Sequence, residues 1–281
     1  MIKTYEIKNG LWQVKVSAEL GGNVVSLKYD GKDVFVPLEN MEQLAANPYI
    51  QGAPILLPAN RTADGKFSFE GENYQLEITE ASTGANLHGI VHRQPFTVIE
   101  HSEDKITLCF ENNGQAYPFN FVLTVTYYFE NDAFAQRYDI KNTGSGNVPF
   151  TFALHTTFVE PESFDVPIDA CHKKNEKHLP IGGYFPLNEQ ESRYVTGSPS
   201  KDISASGYYR ACGNTAHIGH FSYTVSDNFD HWILFNGAGK RGLLCVEPQC
   251  GAVNGLNIEG GCKVLGPSET ESFFTFIKKT E

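Results

Sequence analysis

Phe121-Val122-Leu123-Thr124-Val125-Thr126-Tyr127-Tyr128-Phe129 is the stretch that decides the fold class. Phe121, Leu123, Val125, Tyr127 and Phe129 share one face of an extended chain, with Thr124 and Thr126 on the other, and that period of two predicts a strand. The same alternation recurs outward in both directions, in Ile106-Thr107-Leu108-Cys109-Phe110, Phe67-Ser68-Phe69 and Trp12-Gln13-Val14-Lys15-Val16. Turn residues punctuate these runs at Tyr29-Asp30-Gly31-Lys32-Asp33, Asn112-Asn113-Gly114 and Asn142-Thr143-Gly144-Ser145-Gly146. Short strands separated by such turns predict an antiparallel all-β protein. A single short helix is expected over residues 39–47. The polar, Pro- and Gly-bearing stretch from Pro161 to about Ser206 is expected to be an irregular crossover lying over one sheet face rather than a domain linker.

With 281 residues, the chain is long enough for one large all-β domain or two smaller ones. Hydrophobic residues make up 41% and charged residues 20%, which supports a sizeable core. Aromatic residues reach 12%, in keeping with pleated surfaces. The net charge of −11 and the absence of a Lys/Arg run exclude a phosphate backbone as partner. The first residues alternate polar and apolar instead of forming a basic start and an apolar block, and no stretch approaches a membrane span. The cytoplasm is the expected location, with no membrane partner. Six scattered cysteines without a CxxC pair read as reduced thiols, neither a disulfide framework nor a structural zinc site.

Polar segments interrupt the strand pattern at four places. Arg61, in Pro58-Ala59-Asn60-Arg61-Thr62, follows the apolar run Pro54-Ile55-Leu56-Leu57 where a strand leaves the core, and a guanidinium there either binds hydroxyls or ties down a turn. His88 sits beside Gly89 in Asn86-Leu87-His88-Gly89-Ile90-Val91-His92, where a backbone or a ligand can approach closely. His88 and His92 have the spacing of a helical metal pair, but Gly89, Ile90 and Val91 disfavour a helix, so no metal is expected. His155, in Phe152-Ala153-Leu154-His155-Thr156-Thr157-Phe158, points away from the apolar face that Phe152 and Leu154 define. Glu247 closes the apolar run Gly242-Leu243-Leu244-Cys245-Val246 and is followed by Pro248; a carboxylate there is costly to bury without a partner and suits tuned acid/base work.

A carboxylate and an imidazole are the pair needed to open and close a sugar hemiacetal: a base takes the C1 hydroxyl proton and an acid protonates the ring oxygen. No cofactor is required, in keeping with a chain that lacks a phosphate loop, a GxGxxG and a GxSxG.

Together these segments resemble the aldose 1-epimerase (galactose mutarotase-like) family. The matching pattern is Asn60-Arg61 with the following Gly65-Lys66-Phe67-Ser68-Phe69-Glu70-Gly71-Glu72-Asn73-Tyr74-Gln75-Leu76, then Asn86-Leu87-His88-Gly89 (one residue shorter than the family's N-x-x-H-G), His155-Thr156-Thr157-Phe158, and Glu247-Pro248-Gln249. The resemblance implies a large antiparallel β-sandwich formed by residues 1–281 as a single domain. It also implies an isomerase acting on a small-molecule sugar, with Glu247 as general base, His155 as general acid, and Arg61 and His88 binding substrate oxygens. The family's further Asp corresponds to Asp227 or Asp230, with Asp230 preferred if the Asp230-His231 pair is the true match. The missing Asn after His155-Thr156-Thr157-Phe158 and the short chain are similar to the compact bacterial branch of the family.

Two other functions fit the same fold. A hexose-6-phosphate mutarotase would need a basic cluster at the cleft, for which Lys173, Lys174, Lys177 and Arg193 are the candidates. A non-catalytic carbohydrate-binding protein would have no use for both Glu247 and His155. Glycoside hydrolysis requires two flanking carboxylates, and the sequence offers one strong candidate. Whether the protein is a monomer or a homodimer is left open.

Overall fold

The Phe121–Phe129 alternation is realised in the strand Asn120–Glu130, where Phe121, Leu123, Val125 and Tyr127 are buried and the residues between them half-buried. It turns back into Ala133–Asn142 through Asn131 and Asp132, both with positive φ, so that Glu130 faces Ala133 across a two-residue loop. The expected turn at Asp30-Gly31 has the same construction, with Tyr29 facing Lys32 and both loop residues left-handed. This computed structural model describes residues 2–200, 203–239 and 242–280. Strands account for 51% of it and helices for 8%.

Two eight-stranded antiparallel sheets form the body. The back sheet runs in the order Thr97–His101, Ile106–Asn113, Asn120–Glu130, Ala133–Asn142, Thr270–Lys279, Phe221–Val225, Thr215–Ile218, Phe164–Asp165. The front sheet runs Pro180–Pro186, Ile168–Lys174, Ser206–Ala211, His231–Phe235, Leu243–Cys250, Phe152–Leu154, Ile55–Leu56, with Thr157–Val159 also paired to Leu243–Cys250. Between them lies an aromatic core. The rings of Phe152 and Phe273 stand 4.6 Å apart, those of Phe158 and Tyr223 5.5 Å, and those of Tyr223 and Trp232 6.0 Å. Tyr223 also hydrogen-bonds Thr156 across the core at 2.8 Å. Buried aromatics of this size carry much of the hydrophobic stabilisation of such a core. The architecture is the antiparallel all-β one that the alternation predicts, arranged as the large β-sandwich that the resemblance implies.

A smaller sheet, Tyr5–Asn9, Trp12–Ser17, Asn23–Tyr29 and Lys32–Asp33, closes one end, and Tyr127 Oη donates to its Gly22 carbonyl at 2.8 Å. The expected helix is Met41–Ala46, capped by the Asn40 side chain, which accepts from Gln43 N at 3.0 Å.

The stretch from Pro161 to Ser206 departs from expectation. It supplies strands to both sheets: Phe164–Asp165 ends the back sheet, while Ile168–Lys174 and Pro180–Pro186 form the outer hairpin of the front one. Its alternation is faint for a physical reason. Pro180–Pro186 is an edge strand, exposed along most of its length, and a register shift between His172 and Lys173 breaks the period.

Candidate active site

The strand Leu243–Cys250 is buried along its whole length. Leu244 and Val246 enter the main core, so Glu247, one position on, points to the opposite face of the front sheet. Its neighbours Phe152–Leu154 and Thr157–Val159 pair with it in a single register, Ala153 with Gln249 and Thr157 with Cys245. Continuing that register sets His155 directly opposite Glu247. The ladder is interrupted only here, where Pro248 has no N–H to give and Thr156 N turns back to Leu154 O at 2.9 Å. His155 Nε2 lies 3.3 Å from Glu247 Oε1, and both residues are almost fully buried.

Arg61 and His88 arrive on a two-stranded ladder, Arg61–Thr62 with Asn86–Leu87. Left-handed residues flank it: Asn60 has φ 56° and His88 φ 65°, and His88 N donates to Asn60 O at 2.8 Å. Gly89 is needed beside them, since a Cβ there would lie 2.1 Å from the Leu57 carbonyl oxygen.

These side chains line a cavity of about 300 Å³ together with Tyr49, Glu80, Lys174, His178, Tyr208, Ile233 and Phe235. That size suits a small ligand. Arg61 forms two 2.7 Å bonds to Glu80 and donates to Tyr208 Oη at 2.9 Å. The Tyr49 ring stands 4.6 Å from that of His88 and is stacked on His155 at 5.9 Å.

Burial governs the protonation of the site. It pushes the Glu247 carboxyl well above the usual carboxylate range, and the Arg61 charge opposes this only in part. It draws His155 down to about 4. His88 is held well below the ordinary histidine value by burial first, then by His155 and Arg61. Each charged form is penalised, so Glu247 and His155 share one proton with no net charge, one group able to give it and the other to take it. Burial alone would raise Glu80; hydrogen bonds from Arg61 and Thr83 outweigh it and hold that carboxyl ionised.

Of the residues expected from sequence, Glu247, His155, Arg61 and His88 come together, and Asp227 and Asp230 do not. Asp230 accepts from Gly251 N at 2.9 Å and holds His231 Nδ1 at 2.7 Å; Asp227 accepts from Asn214 at 3.0 Å. Both lie outside the cavity, because Asp230 precedes the strand His231–Phe235 whose Ile233 is the residue facing Glu247. Glu80, Tyr49, Tyr208 and His178 were not legible as site residues, whereas Lys174, one of the four cations named for a phosphorylated substrate, lines the cavity. Glu80 looks like one more surface charge in Leu76-Glu77-Ile78-Thr79-Glu80, and the alternation Ser206-Gly207-Tyr208 was the one available hint for Tyr208.

A buried carboxyl and imidazole thus meet at the floor of a small cavity on a sandwich of two large antiparallel sheets. The chain belongs to the aldose 1-epimerase family, whose model matches residues 3–275. Among solved structures it is similar to a galactose mutarotase-like protein from Clostridium acetobutylicum, at 20% identity, with 97% of this chain and 93% of that one covered and a TM-score of 0.88. It is also similar to a putative aldose 1-epimerase from Escherichia coli K12, at 19% identity, 98% coverage of both chains and a TM-score of 0.85. Among curated proteins, Lactococcus lactis LacX is 23% identical, with 90% of this chain and 89% of that protein covered. E. coli YihR is 24% identical over 57% of this chain, and the match spans about half of YihR, 54% of its length. Among the described residues no helix is long and apolar enough to cross a membrane.

Proposed function

We propose that the protein is an aldose 1-epimerase that interconverts the α and β anomers of a free aldose by acid/base catalysis. With the shared proton on His155, Glu247 removes the C1 hydroxyl proton while His155 protonates the ring oxygen. The bond from C1 to the ring oxygen breaks as the C1 carbonyl forms. Rotation about the bond from C1 to C2 exposes the other carbonyl face, and the reverse transfers close the ring. In this reading Arg61, braced by Glu80, and His88, which lines the cavity beside it, hold sugar oxygens. The observation that carries this reading is the 3.3 Å approach of His155 to Glu247 at the floor of the cavity.

A phosphorylated substrate is less well supported. Of the loop cations, Lys174 alone lines the cavity; Lys173 covers the Phe185 ring at 4.3 Å and Lys177 faces Asp64 at 3.5 Å.

The test is polarimetry on a panel of free and phosphorylated aldoses. Glu247→Gln keeps the shape and removes the base, and is expected to slow interconversion about a hundredfold or more. His155→Asn should do likewise, and the double variant should lose far less than the product of the two. Near-native rates in Glu247→Gln on every accepted sugar would leave a binding protein, or a base elsewhere.

A further inference from the structure

The catalytic face of the strand Leu243–Cys250 carries a second reactive group. Alternation sets Cys245 on the same face as Glu247, and the register sets it opposite Thr157, two residues from His155. One ligand atom each from His155, Cys245 and Glu247 falls within a sphere of mutual distances no larger than 4.8 Å, and all three residues are buried. Thr157 Oγ1 lies 3.4 Å from Cys245 Sγ, where a hydroxyl can donate to a thiolate.

We propose that His155, Cys245 and Glu247 bind a zinc-class divalent cation, and that its binding shuts down the acid/base pair. Zinc bonds of about 2.0–2.3 Å set tetrahedral ligand atoms roughly 3.3–3.7 Å apart. The imidazole and carboxylate already stand at 3.3 Å, and the thiol sulfur lies within 4.8 Å of the ligand atoms of both. Imidazole, thiolate and carboxylate are ligands that zinc accepts, and three protein ligands with one position open to a cavity make an exchangeable site rather than a structural one. On binding, Sγ–H breaks and the proton shared by His155 and Glu247 is displaced; both protons pass to water as the bonds from sulfur, nitrogen and oxygen to zinc form, with no change of oxidation state. The bound cation ties up the His155 and Glu247 lone pairs, so the reaction needs no metal and is stopped by one. No CxxC or HxxxH spacing announces such a site, because the sheet register assembles it.

The experiment is calorimetric titration of the reduced, chelator-treated full chain with zinc chloride, and with cobalt(II) followed by its thiolate charge-transfer absorption. One equivalent should bind, and the cobalt band should appear. Loss of an outer-shell partner alone costs ~10–100-fold in metal affinity, so Cys245→Ala should weaken zinc by roughly 100-fold or more. His155→Asn should weaken it comparably while leaving the thiol in place, and it decides the matter if Cys245→Ala does not fold. Undiminished zinc affinity in either folded variant, or no stoichiometric binding by the native chain, overturns the site. A separate arm follows mutarotation, which zinc should abolish and a chelator restore. That arm rests on the proposed reaction, whereas the binding arm does not, so the failure of one is distinguishable from the failure of the other. Stoichiometric zinc that leaves the rate untouched would overturn the inhibitory role.

Discussion

Arg61 reaches the cavity with its fork already engaged, by Glu80 on one side and Tyr208 on the other. A guanidinium held in this way meets a sugar hydroxyl in one orientation, and little rotamer entropy remains to be lost on binding. Glu80→Gln keeps the size of the brace and removes its charge. The expected outcome is a KM raised several-fold with a smaller change in kcat, since the acid/base pair is untouched. Steady-state kinetics would decide, and a fall confined to kcat would show that Glu80 acts on the chemistry instead. Arg61 was readable from its position after an apolar run, but its brace was not. Glu80 lies nineteen positions away in sequence and is brought in by a turn, with nothing in the local pattern to connect the two.

At the scale of elements, the site depends on where strands break. The central alternation was legible because strands buried on one face repeat every second residue. The outer hairpin was not, because solvent on its free edge removes the need for apolar residues there. Asp230 was misplaced for a related reason: a strand start cannot be fixed to within a residue or two from sequence, and Ile233 rather than an Asp faces Glu247. The break at Gly89 yields its own test. A Cβ at this left-handed position collides with Leu57 O, while Gly146 has open space around it. Gly89→Ala should cost about 3 kcal/mol through strain and displacement of the Leu57 backbone, lowering Tm by roughly 6–12 °C. Gly146→Ala should be close to neutral. Equal melting temperatures for the two variants would contradict this account of the His88 turn.

For the whole molecule, the buried histidines set a limit in acid. His88, His92 and His155 are neutral in the fold, with burial drawing His92 to about 3 and His155 to about 4. Their folded values lie below the unfolded value of ~6.5, so their contribution to stability is complete above that pH and lost as pH falls towards the folded values. Glu247 works in the opposite sense: its folded value is raised, so its contribution is complete below the ordinary carboxylate value and lost as pH rises through the folded one. Three groups against one favour neutrality over acid. The urea midpoint should therefore drop between about pH 7 and about pH 5, and His92→Gln should flatten the drop. A midpoint that does not move over that range would show that the histidines are already charged in the fold.

The cavity is walled by parts of unequal mechanical rank. Its floor is a buried central strand with neighbours on both sides, while Lys174 and His178 come from a hairpin at the margin of the sheet. Changes of length or residue in that hairpin leave the spacing of His155 and Glu247 untouched, since the two are locked by neighbouring strands. On the proposed reaction, reactivity and this part of substrate preference are therefore separable under mutation. A laboratory selection for new sugars would accumulate its changes between residues 172 and 186 long before it disturbed the chemistry.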